Sequence, residues 1–279
     1  MDINNFSKCS INKLVGYNNI YSLNGYCLPD DKDCYNKYLP LSWVKEQINR
    51  KFIPFVSPNM WDDGFEKRYY KPGGYVCKIA NFTIPSIYCL CLTSRQSLNE
   101  DAMWRMYAKE KEQMVRAYYN IKDLLDILDN VSRQCKFKVY IGEVIYADKS
   151  AIKALTPSKN KIFFPSNFRL ENYLSLMLVK RNAFSYENEV RFFVVPDEVG
   201  VEDHCFVHLG VVAIKHNTNN SYISQIHISP YPPTRSKWPG SRGDKTMTRI
   251  RRTIEKRMAT SNITVKCSRF HENCPKCKF

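Results

Sequence analysis

The chain has 279 residues, 44% of them apolar and 13% aromatic, so it can bury a substantial core and is not a mainly disordered polymer. Lys and Arg number 42 against 27 acidic residues, a formal charge of +15, which draws polyanions and makes nucleic acid the leading partner class. No run approaches about eighteen apolar residues, and the start, Met1-Asp2-Ile3-Asn4-Asn5, lacks a basic segment followed by an apolar one. The expectation is a cytoplasmic protein with no membrane contact. Eleven cysteines, an odd number scattered through apparent strands such as Cys89-Leu90-Cys91, read as reduced small hydrophobes rather than a disulfide framework.

Residues 1–36 are rich in Asn, Ser, Tyr and Cys with little periodicity and read as an irregular N-terminal extension. From Leu41 the spacing of Trp43, Val44 and Ile48 suits a short helix, followed by the strand Phe52–Val56 and a turn-rich stretch through Glu66. Ile84–Thr93 reads as a buried strand, Asn99 as the cap of a helix carrying Met103, Trp104 and Tyr107, and Met114–Tyr119 as another strand. Asn120 offers an N-cap to a helix with Ile121, Leu124, Leu125 and Leu128 on one stripe. Phe137–Tyr146 is again strand, and 149–167 a polar connection around Pro157 and Pro165. A helix over Leu170–Lys180 then leads into a glutamate-headed strand. Cys205–Leu209, Tyr222–Ile228 and Ile263–Phe270 read as strands, with a Pro-rich loop and a helix over Lys245–Ala259 before the last. Strands with interspersed helices but no regular βαβ repeat imply an α+β fold.

The segment with most chemistry is Tyr186-Glu187-Asn188-Glu189-Val190-Arg191, followed by a β-branched and aromatic run that Pro196 stops. On an extended chain residues i and i+2 share a face, so Glu187 and Glu189 are placed to act together. The competing reading is an edge strand whose charges are solvated, with Arg191 on the opposite face.

The order Phe55-Val56-Ser57-Pro58, Trp61-Asp62-Asp63-Gly64-Phe65-Glu66, Cys89-Leu90-Cys91-Leu92-Thr93-Ser94, Trp104-Arg105-Met106-Tyr107-Ala108 and Glu187-Asn188-Glu189-Val190-Arg191 resembles a bacterial family long labelled unknown in function. The resemblance covers about residues 37–270. Trp61 and Gly64 depart from the residues usual there. The layout is in turn similar to ADP-ribosyltransferases that modify nucleic acids, including toxins of toxin–antitoxin phage-defence modules. It implies a split β-sheet core with peripheral helices, a catalytic domain over 37–270 and an extra Cys-rich tail over 271–279. It also implies NAD as ADP-ribose donor, with RNA as the expected acceptor and an antitoxin as a partner; DNA is the close alternative acceptor.

In that reading Glu189 is catalytic, steadying the positive charge that develops on the ribose as nicotinamide leaves, and Glu187 orients or deprotonates the nucleophile. Tyr38, Ser57, Ser94, Trp104 and Tyr107 offer stacking surfaces and hydroxyls to the cofactor, and Arg105 and Lys180 charges to its pyrophosphate. Trp61, Trp104 and Tyr107 serve equally well as core anchors, and Asp63 and Glu66 as caps and ion-pair braces. Arg235, Lys237 and Trp238 mix cations with an aromatic, and Arg249, Arg252, Lys256 and Arg257 line the outside of the late helix, as single-stranded nucleic acid requires. Cys267, His271, Cys274 and Cys277 have a compact spacing that suits zinc, with a frayed tail as the simpler alternative. Two other classes remain: a metal-dependent nuclease using Asp62, Asp63, Glu66 and Glu189, and a non-enzymatic RNA-binding protein.

Overall fold

The computed structural model describes residues 8–28, 35–61, 63–67, 82–83, 85–94, 100–107, 112–197, 205–208, 210–218, 221–229, 251–252, 255 and 263–267. In chain order the strands begin with β1 (Ile11–Lys13), β2 (Ile20–Leu23), β3 (Tyr35–Pro40), β4 (Phe52–Val56), β5 (Tyr88–Ser94), β6 (Met114–Tyr119) and β7 (Phe137–Glu143). They continue with β8 (Ile145–Ala147), β9 (Val179–Arg181), β10 (Glu189–Pro196), β11 (Cys205–His208), β12 (Val211–Lys215), β13 (Ile223–Ile228) and β14 (Thr264–Cys267). The helices are α1 (Leu41–Arg50), α2 (Gly64–Lys67), α3 (Glu100–Tyr107), α4 (Ile121–Cys135), α5 (Lys149–Ala154) and α6 (Leu170–Leu176). This is a mixed helix and sheet protein, and no helix among the described residues is long and apolar enough to cross a membrane.

The chain divides into two compact units, the first of residues 1–29, 52–94 and 125–216, the second of residues 30–51, 95–124 and 217–279. In the first, the sheet order is β1-β2-β7-β10-β5-β4-β12-β11, with β2 parallel to β7 and the other neighbours antiparallel. Strand β10 is bonded on both sides and is also buried on both faces, which is why its sequence is almost continuously apolar. Phe193 and Val195 join Tyr140, Leu178 and Tyr173 in the core on one face. Glu189 and Arg191 head the same row. The edge-strand reading with Arg191 turned away is therefore corrected: the strand is central and both charges are inside, on one side. Across from Arg191 stands Gly142, where a Cβ would meet Leu178 Cδ1 at 2.5 Å, so the glycine is what lets this part of the core close up.

Residues 8–28 are not wholly irregular. They form the β1–β2 pair, extended by the parallel register Ile20↔Val139, and Asp129 of α4 accepts the backbone N–H groups of Asn18 and Asn19 at 2.8 and 2.9 Å. Strands of three and four residues are too short for a period to be read, and their anchor is a side chain more than a hundred residues away. The helix foreseen over Leu170–Lys180 stops at Leu176, and Val179–Arg181 instead pairs in parallel with β8. The connection over 149–167 contains α5, capped by Asp148 Oδ1, which accepts from Ala151 N–H at 2.7 Å. The cap at Asn120 is found as expected, its Oδ1 accepting from Asp123 N–H at 3.3 Å.

The second unit carries the sheet β3-β6-β13-β14, antiparallel except for β13 with β14. One face is largely apolar, with Leu39, Val115, Ala117, Ile226, Ile228 and Val265 beside half-buried Lys37. Trp104 of α3 is fully buried and meets the Tyr38 ring edge-on at 4.7 Å, while Tyr107 stacks on the same ring at 5.7 Å.

Candidate active site

Glu187 does not lie on the strand. It ends a 3₁₀ turn over Asn182–Glu187, and Asn188, at φ 42°, reverses the chain before β10 begins at Glu189. The same-face argument from an extended i, i+2 pair is thus corrected. The two carboxylates converge because one left-handed residue separates a turn from a strand, and because Lys180, in the middle of β9, reaches both. Lys180 Nζ donates to Glu187 Oε2 at 2.6 Å and to Glu189 Oε2 at 2.8 Å. Asparagine tolerates the left-handed region and a β-branched residue does not. Asn188→Val is expected to lower stability by roughly 1–2 kcal/mol, and Asn188→Gly to leave it nearly unchanged, which urea unfolding at constant m-value checks.

Arg191 closes the other side. Its Nε and Nη2 donate to Glu189 Oε1 and Oε2 at 3.0 and 3.1 Å, Nη2 also donates to Glu66 Oε1, and Nη1 to the Met177 carbonyl. The Arg191 guanidinium carbon lies over the Trp61 ring, 4.1 Å from the ring centroid. Asp63 caps α2 by accepting from Phe65 N–H at 2.9 Å and pairs with Arg181 Nε at 3.0 Å; Arg181 in turn sits over both Phe65 and Phe184. Asp63 and Glu66 therefore act as braces. Asp62 lies outside the described residues, and among those described no group of three His, Cys, Asp or Glu side chains is near enough to hold a metal ion.

Two cations face three carboxylates in this cluster, Lys180 and Arg191 against Glu66, Glu187 and Glu189. All three glutamates are 6% exposed or less. Burial alone would push the Glu189 carboxyl up, but the charges of Arg191 and Lys180 outweigh it and hold Glu189 well below the usual carboxylate range. For Glu187 burial wins over Lys180, and its pKa is raised. Burial and Arg191 oppose the Lys180 charge, yet Glu189, Glu187 and Glu66 prevail and its pKa rises above the ordinary value. Tyr146, pushed up by burial, keeps its proton and its hydroxyl oxygen accepts the Glu189 backbone N–H at 2.9 Å.

The sign of the pH dependence follows. Stability supplied by Glu189 is complete above the ordinary carboxylate pKa and is lost as pH falls below it toward the depressed folded value. Ionising Glu187 has the opposite effect, lowering stability as pH rises from the ordinary value to its raised one. If Glu187 takes up a proton in a reaction, the acid limb of the rate profile is set above the normal Glu range. Glu187→Gln then removes that limb together with most of the rate, as a kcat/KM profile from pH 4 to 8 reads out.

The other expected cofactor residues divide between the units. In the first unit, the Lys180 ammonium is bonded to both glutamates. Ser57 caps the 3₁₀ turn Pro58–Met60, and Ser94 N–H donates to Asn188 O at 2.9 Å, one residue before Glu189. In the second unit, Tyr38, Trp104 and Tyr107 gather around one another, with Arg105 exposed on α3. Of the expected nucleic-acid contacts, Arg252 is exposed in a helical stretch; Arg235, Lys237, Trp238, Arg249 and Lys256 lie outside the described residues. So do His271, Cys274 and Cys277, while Cys267 ends β14. Sequence reasoning missed the joining of Arg191 to Glu66 and Trp61. Parity places Arg191 on the Glu189 side of the strand, but it carries no sign of Glu66 or Trp61.

The family described as "Protein of unknown function (DUF2971)" matches residues 103–192, about a third of the chain, from α3 into β10. No curated protein and no solved structure matches. Over the stretch that carries Lys180, Glu187, Glu189 and Arg191, the chain is thus similar to an uncharacterised family.

Proposed function

We propose that this protein is an ADP-ribosyltransferase that moves ADP-ribose from NAD to a nucleic acid, RNA first, in the manner of a growth-inhibiting toxin. The observation that carries the reading is the pair Glu187 and Glu189, bridged by one ammonium and pushed to opposite protonation tendencies by their surroundings. Paired carboxylates with separated pKa values are the usual mark of divided acid–base and electrostatic roles. The cluster also holds one carboxylate more than it has cations, a local negative excess in a chain of formal charge +15.

In the reaction the bond between ribose and nicotinamide breaks, and nicotinamide leaves neutral with the bonding electrons. The anomeric carbon left behind is cationic, and a nucleic-acid N–H or O–H group attacks it and gives up a proton. Both Glu189 oxygens already accept N–H bonds from Arg191 and Lys180, so Glu189 acts through its fixed negative charge. Glu187, bonded through Oε2 alone to Lys180, takes the nucleophile's proton. The basic surface, to which exposed Arg252 belongs, attracts the acceptor strand.

A second reading has a specific observation in its favour. Arg191 is 1% exposed and its guanidinium is bonded on every nitrogen, as in a purely structural ion network. The experiment that separates them is incubation with NAD labelled in its adenylate half and separate pools of RNA, DNA and protein, with and without chelator. The transferase reading expects chelator-resistant label on nucleic acid. Label in none of the pools would refute it, label on protein alone would refute its acceptor, and RNA cleavage that chelator abolishes would favour a nuclease.

A further inference from the structure

We propose that the polar face of the β3-β6-β13-β14 sheet holds a nucleotide, its base read by Asn36 and its phosphate drawn outward past Arg116. The strand registers put Asn36 opposite Tyr118 and Tyr38 opposite Arg116, then Tyr118 opposite Gln225 and Arg116 opposite His227, and finally Gln225 and His227 beside Thr264 and Lys266. Opposed residues in a ladder share a face. One side of the sheet therefore carries an amide, two tyrosines, a guanidinium, a glutamine, a histidine, a threonine and a lysine, with no aliphatic side chain in those positions. A sheet face that served only as core would be largely apolar, as the reverse side is apart from half-buried Lys37.

Its inner end is built for a hydrogen-bonding ligand. Asn36 is 0% exposed, yet neither its Oδ1 nor its Nδ2 has a hydrogen-bond partner among the described residues, and the indole N–H of fully buried Trp104 has none either. Buried polar groups are nearly always paired, and leaving them unpaired costs stability, so a donor and an acceptor side by side on one buried amide point to a missing complementary edge. A nucleobase supplies such an edge, adenine above all for asparagine. Beside it the Arg116 guanidinium lies 5.5 Å from the Tyr38 ring centroid and 4.9 Å from that of Tyr118, a stack suited to bases and sugar-phosphate alike. Tyr118 Oη meets His227 Nδ1 at 3.2 Å, and the Gln225 amide also reaches His227.

Exposure rises along the row, from Asn36, Tyr38, Arg116 and Tyr118, all buried, through half-buried Gln225 and His227 to exposed Thr264 and Lys266. The span is three strand spacings, roughly 14 Å. Base inside and phosphate toward Lys266 is the orientation that satisfies both ends. Every residue of this site belongs to the second unit, so the inference does not rest on the reaction proposed for the glutamate cluster.

The test is titration of the whole protein with AMP, followed by calorimetry, against ribose 5-phosphate and inorganic phosphate, with a short oligo(A) RNA as a further arm. AMP should bind at least about tenfold tighter than ribose 5-phosphate. Asn36→Leu should weaken AMP by about tenfold while melting at or above the wild-type temperature, because it removes unpaired polar atoms. Lys266→Ala, on the exposed edge where folding is not at stake, should weaken AMP and flatten its salt dependence. Tighter, more salt-sensitive binding of oligo(A) than of AMP would identify a polynucleotide as the source, and equal affinity a free nucleotide. Glu189→Gln should bind AMP as wild type does, whatever becomes of label transfer. The proposal is overturned if wild type prefers AMP no more than ribose 5-phosphate, or if folded Asn36→Leu binds AMP unchanged.

Discussion

Replacing Arg191 with Met is expected to destabilise the fold by about 3–5 kcal/mol, the cost of leaving buried carboxylates without their cation. The size comes from what remains: Lys180 alone would face Glu66, Glu187 and Glu189, all nearly inaccessible to water. Met fills similar volume and still packs on Trp61, so the loss is electrostatic rather than a cavity. Urea unfolding should show a lower midpoint with an unchanged slope. Because the partners are in contact, the double variant Arg191→Met with Glu189→Gln should recover part of the loss, giving a coupling energy of about 0.5–3 kcal/mol. An Arg191→Met protein as stable as wild type would remove the ion network from the account of the fold.

Glu189→Gln should behave in the opposite proportion. It leaves two cations facing two carboxylates, a formally balanced cluster, but the amide NH2 takes the place of one acceptor oxygen and faces a buried donor of Arg191 or Lys180, so the fold loses about 1.5–3 kcal/mol. Activity should suffer more, by about 10²–10³-fold in kcat, if the negative charge steadies a cationic transition state. The amide keeps the shape of the carboxylate, so substrate binding should be nearly unaffected, and the loss should fall on kcat rather than KM. A drop that follows the unfolded fraction, or one carried by KM alone, would assign Glu189 to structure.

The sequence announced the parts of this site more readily than their arrangement. A strand over Val190–Val195 was legible because a fully buried strand is almost uniformly β-branched and aromatic, and the cap at Asn120 because capping is local chemistry. That β10 is central was not legible, since its partners in β7 and β5 lie 47–59 and 96–106 residues away in the chain. The convergence of Glu187 and Glu189 was foreseen for the wrong reason, because an asparagine in the left-handed region leaves no periodic trace. Lys180 was assigned to an anion, and the two anions it holds belong to the protein itself. Of the polar face of the second sheet only Tyr38 was singled out: Asn36, Arg116 and Gln225 are unremarkable until two registers align them.

The charge at position 189 and its work on the sugar of NAD can be measured at the bond that breaks. Free nicotinamide released from NAD in the presence of RNA, followed for wild type and Glu189→Gln at equal folded concentration, should appear with wild type in proportion to ADP-ribose on RNA and fall about 10²–10³-fold in the variant. Nicotinamide release at the same rate by both proteins, or by neither, would contradict the account.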